Sequence, residues 1–132
     1  MGIYNQNAYK IDKLVIEMIA SYGMPVGKEV FETCVWIGRF LELARMKNID
    51  TTYIYRKDEK MNICNSMKAK DSNIRQALID RFGPVGTKQN PGWFYGFKAD
   101  IWSAYAVGIT YLDMEKRGEI KVKKKEMEVI EK

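Results

Sequence analysis

Histidine is absent from this chain. That excludes Ser-His-Asp and Cys-His nucleophilic catalysis and every His-bearing zinc site. What remains for chemistry is carboxylates, lysines, hydroxyls and hard metal ions. Cysteine is nearly as scarce. Cys34 and Cys64 are too few for a disulfide framework, which points to a reducing compartment. Both have apolar neighbours and read as inert core residues. No window reaches the roughly 18 consecutive apolar residues of a membrane span, so no membrane partner is expected. Residues 1–13 carry Asn, Gln, Lys and Asp where a secretory leader would be apolar. The expected location is therefore the cytoplasm.

What is present suits a globular protein. A chain of 132 residues with 46% hydrophobic content is long enough for one domain with a core. The reading is a single domain over 1–132, ending in a charged tail from residue 115. The net charge of +5 favours polyanions modestly.

Apolar residues Leu14-Val15-Ile16 and Met18-Ile19 predict a strand over 13–19, buried on both faces. Ser21 to Gly27 holds two glycines and a proline and reads as a loop. Val30, Cys34, Ile37, Leu41 and Ala44 recur at helical spacing and predict a helix over 29–47. Thr51 to Arg56 is β-branched and aromatic, a second strand. Lys57 to Ser66 reads as a short helix and Asp71 to Phe82 as a longer one, stopped by Gly83-Pro84. A loop over 83–98 leads to a helix over 99–114, apolar nearly all round and so expected to be mostly buried. The strand-helix-strand start predicts parallel pairing and an α/β class. Two strands do not make an independent α/β core. Either further strands lie in 1–13 and the tail, or part of a larger sheet is missing.

Several features carry chemistry. Glu17 stands inside the first apolar run, where a bare carboxylate costs several kcal/mol unless paired, protonated or metal-bound. It reads either as an acid at a sheet edge facing water or as a metal ligand at a strand end, where α/β folds place their sites. Asp100 reads as a helix N-cap or as a second acid for the same site. Gly23 to Lys28 has the setting of a phosphate-binding loop, but its glycines are one residue too close and Glu29 replaces the magnesium-holding Ser or Thr. Lys28, at the start of the following helix, remains a candidate phosphate contact. Lys68, Lys70 and Arg75 precede or open a helix. Lys88 and Lys98 bracket Trp93-Phe94-Tyr95. Cations beside exposed aromatics suit phosphates and unstacked bases. The alternative for the aromatic triplet is a loop pinned to the core.

Taken in order, these residues form a pattern. Val15-Ile16-Glu17 and a helix come first. Ser66-Met67-Lys68-Ala69-Lys70 then opens another helix, and Ala99-Asp100 precedes Ala104 and Ala106-Val107-Gly108-Ile109-Thr110-Tyr111. Over residues 13–113 this resembles the RuvC-type Holliday junction resolvases, the phage-encoded branch above all. The resemblance implies a ribonuclease H-like fold, a mixed sheet flanked by helices. It implies a homodimer that cuts four-way DNA junctions with magnesium or manganese, in the bacterial host cytoplasm. Glu17 matches the family's second catalytic acid and Asp100 an acid on its last helix. With DNA phosphate they would hold two metals about 4 Å apart. Lys68 and Lys70 fall in the family's basic segment. Where the family has a second acid on the last helix, this chain has Ser103, a poor metal ligand. Nothing before Glu17 matches the family's first strand and its catalytic Asp; Asp12 lies too close to Leu14. The expectation is thus a ribonuclease H-like domain incomplete at its N-terminus. It is either a metal-dependent endonuclease acting on branched DNA or a structure-selective DNA-binding protein without catalysis. An unrelated α/β interaction module is the third reading.

Overall fold

The computed structural model describes residues 10–120. They fall into two compact units that meet in sequence between Tyr53 and Ile54. The architecture mixes helix and strand, as expected of an α/β chain.

In the first unit, β1 (Lys13–Met18) pairs in parallel with β2 (Asp50–Tyr55), whose last residues carry the chain into the second unit. An ion pair of 3.6 Å between Lys13 and Asp50 joins the starts of the two strands. Every position of β1 is half-buried. The expectation of a strand buried on both faces is therefore corrected: among the described residues the sheet has two strands, so each is an edge. Between them α1 (Lys28–Met46) begins after an extended Gly27. It buries Ile37 and Ala44, with Val30 and Leu41 half-buried on the same arc. Phe31, Val35, Trp36, Phe40 and Leu43 lie on the other side and are exposed. Cys34, expected in the core, is exposed. At 100° per residue it falls at the margin of the buried arc.

The second unit starts with α2 (Arg56–Glu59), which runs directly into a π-helical turn over Lys60–Cys64. Asn65 ends that turn in the left-handed region at φ 52°. Next comes α3 (Asp71–Phe82), stopped by Gly83 at φ 135°, and then α4 (Ala99–Lys116). The core joins Ile74 and Leu78 of α3 to Trp102 and Ala106 of α4, with Phe94 from the intervening loop. Phe94 is fully buried. Its ring lies 4.6 Å from that of Trp102 and meets Phe82, Phe97 and Tyr105 edge-on. Edge-to-face pairs add to what burial alone contributes. The loop is thus pinned to the core through Phe94, while Trp93 and Tyr95 stay exposed. Its path is tight: a Cβ on Gly92 would strike the Pro84 carbonyl.

The all-round apolar α4 is buried less than expected. Trp102, Ala106, Val107, Thr110 and Tyr111 are inside, but Ile101 and Leu112 are exposed. Among the described residues no helix is long and apolar enough to cross a membrane. The charged tail and the search for further strands fall largely outside the described residues.

Candidate functional site

Glu17 sits near the end of β1, half-buried. Its side chain makes no hydrogen bond or ion pair with another described residue. The fully buried carboxylate is a different one, Glu59, at the end of α2. Arg56, one turn earlier, donates to it from Nη1 at 3.1 Å. The same guanidinium reaches forward to Asp71, the first residue of α3. A buried acid needs a partner of this kind, since an unpaired charge in the interior is costly.

Asp100 is the second residue of α4 and exposed. Lys98 holds the N-cap position, so Asp100 is not the cap. Its negative charge still suits the first turn, where the helix dipole is positive. Ser103 lies one turn further on. Its hydroxyl donates to the Ala99 carbonyl at 3.2 Å, which leaves only lone pairs for any ligand.

A cleft of about 80 Å³ opens between α3 and α4. Its floor is apolar, from Ile74, Leu78 and Trp102, and its rim is polar, from Arg56, Asp71, Arg75 and Ser103. The Arg75 guanidinium lies over the Trp102 ring, 5.5 Å from its centroid. Arg75 and Ser103 are therefore the two expected site residues that share a cleft. Sequence reasoning missed Arg56, Glu59 and Asp71. The one signal available was the Arg56–Glu59 spacing, three apart on a helix.

The other expected cations are surface residues. Lys68 is exposed, and its backbone N–H donates to Ser66 Oγ at 3.2 Å. Lys70 precedes α3, where its N–H donates to Asn73 Oδ1 at 2.9 Å. Lys88 lies in the turn closed by mutual backbone hydrogen bonds between Thr87 and Asn90. Lys98 caps α4. With Arg75, these four belong to the second unit, and none of the five is ion-paired among the described residues. Lys28 opens α1 in the first unit, 3.6 Å from Glu32.

At the far end of α4, Asp113 accepts two hydrogen bonds from Arg81, at 2.7 and 2.9 Å, and one from Asn62 at 2.7 Å. The Arg81 bonds above all hold its carboxyl down at about 2. Burial pushes the Cys64 thiol up, away from the reactive thiolate.

Among the described residues no three of Asp, Glu, Cys and His group as metal ligands. Magnesium commonly takes one or two carboxylates plus substrate phosphate, so Asp100 is a usable single ligand. A two-metal site needs carboxylates from outside α4. Of the other expected ligands, Ser103 shares α4 with Asp100 and Glu17 belongs to the first unit. The chain matches no family model, no curated protein and no solved structure.

Proposed function

We propose that the chain is a RuvC-like protein with a ribonuclease H-like fold that acts on branched DNA. In this reading it is a metal-dependent endonuclease of recombination or phage genome processing, working as a homodimer. One observation carries it. Lys68, Lys70, Arg75, Lys88 and Lys98, together with the exposed rings of Trp93 and Tyr95, belong to one compact unit that also presents Asp100. Cations without an ion-pair partner among the described residues are available to backbone phosphates, and accessible aromatic rings offer stacking surfaces to unpaired bases. Asp100 of the second unit would serve as a ligand to magnesium or manganese, and the family resemblance gives the same role to Glu17 of the first. The ion would supply Lewis-acid stabilisation and an activated water.

A second reading is binding of branched DNA without cleavage, which the same exposed cations and rings support equally. Incubating the chain with a labelled four-way junction, with and without magnesium, separates the two. Magnesium-dependent cutting supports the nuclease. In that case Glu17→Gln and Asp100→Asn should each abolish cleavage while leaving junction binding intact. Retarded but uncut DNA supports binding alone. Neither retardation nor cutting rejects both readings.

A further inference from the structure

We infer that the cleft between α3 and α4 binds a single phosphate group, with Arg56 and Arg75 as its cationic ligands and Asp71 as a built-in competitor. Size narrows the occupant. A volume of about 80 Å³ accommodates a few waters or one tetrahedral oxyanion, well below the roughly 300 Å³ at which small-molecule pockets begin. The guanidinium groups of Arg56 and Arg75 bring the positive charge, set against the carboxylates of Asp71 and Glu59. Asp71 is the first residue of α3 and Ala99 the first of α4, and both line the cleft. The cleft runs along the flanks of the two helices and begins at their first turns, where the dipoles are positive. Lys98 supplies no side-chain cap to α4.

The two arginines are held in place before any ligand arrives. Buried Glu59 grips Arg56 from behind at 3.1 Å, and Arg75 lies on the Trp102 ring. Pre-set donors lose less freedom on binding. Asp71 supplies the last observation. Its carboxylate bonds Arg56, yet its side chain is 85% exposed against 31% for Arg56. An ion pair with so exposed a member is weak. A phosphate oxyanion offers more acceptor oxygens in a geometry that arginine matches. It would displace the carboxylate and take its place on the guanidinium. For the source of that phosphate, the sugar-phosphate backbone, the inference rests on the nucleic-acid reading above.

The test uses the full chain and three variants, Asp71→Asn, Arg75→Gln and Asp80→Asn. Asp80 is an exposed acid of α3 outside the cleft, so its variant carries the same charge change as Asp71→Asn. Thermal unfolding is followed against inorganic phosphate, with chloride at matched ionic strength. Binding of a labelled four-way junction is followed by anisotropy. Phosphate should raise the wild-type midpoint by mass action. Asp71→Asn should tighten its apparent affinity about two- to fivefold, and Arg75→Gln should weaken it about tenfold. Asp80→Asn should leave it unchanged. The same order should hold for the junction. If Arg75→Gln responds to phosphate as the wild type does, or Asp80→Asn tightens binding as much as Asp71→Asn, the site is refuted. If phosphate follows the expected order but no junction binds, the anion site stands and the nucleic-acid reading falls. If the junction binds equally to all four proteins, the nucleic-acid reading stands and the anion site falls.

Discussion

Asp113 fastens three segments of the second unit. Its carboxylate takes both terminal nitrogens of Arg81 on α3 and the amide of Asn62 on the π-helical turn. Arg117 in turn donates to Asn62 Oδ1 at 2.7 Å. Because the folded carboxyl sits near 2, below its ordinary value of 3.8, the unfolded chain binds the proton more readily. Stability from this group is complete above pH 3.8 and is lost as pH falls toward 2. Asp113→Asn should cost about 1–3 kcal/mol at neutral pH. It should also flatten the acid limb of a stability curve measured by urea titration at successive pH values. An unchanged acid limb would show that Asp113 does not set it. None of this was legible in the sequence, because Arg81 and Asp113 are far apart and no spacing rule links them. Glu59 was missed for a different reason. In Arg56-Lys57-Asp58-Glu59 it looks like one member of a solvated charge run. Glu17, picked out by its apolar neighbours, is only half-buried.

The elements were far more legible, because their signals are local. Hydrophobic spacing and Gly-Pro stops place all the strands and the longer helices within about two residues of their observed bounds. Periodicity says less about what each face meets. In α1 the arc through Ile37 and Ala44 is buried as expected, but the opposite side is also apolar and lies open. Trp36 and Phe40 are neighbours there, with ring centroids 6.4 Å apart, and Arg39 stacks on Trp36 at 4.7 Å. Exposed aromatic clusters of this kind are common at association surfaces. The partner that the family resemblance implies is a second copy of the chain. If α1 serves that contact, Trp36→Glu should weaken self-association at least about thirtyfold, as expected of a central aromatic anchor. It should barely change the stability of the fold, since the ring is 56% exposed. Sedimentation velocity would show the shift to monomer. An unaltered profile would take α1 out of the interface.

At the scale of the molecule, the contacts group the described residues into two compact units. The exposed cations Lys68, Lys70, Arg75, Lys88 and Lys98 were legible as residue types in the segments around the start of α3 and before α4, whereas Arg56 was not singled out. The acids were legible as types but not as a set, because chain order does not say which carboxylates share a site. The division has a consequence for spectroscopy. Trp36 belongs to the first unit, whereas Trp93 and Trp102 belong to the second. Each unit thus carries its own intrinsic fluorophore in a distinct setting: Trp36 under a guanidinium, Trp93 donating to the Tyr105 hydroxyl at 3.0 Å, and Trp102 within the core. Emission from Trp36→Phe reports the second unit alone, and its difference from wild type reports the first. Separate units should give two transitions that do not superpose in a denaturant titration, and coincident curves would mean one cooperative block. The chain comes with its own optical labels, separable by a single substitution, for each half of its folding.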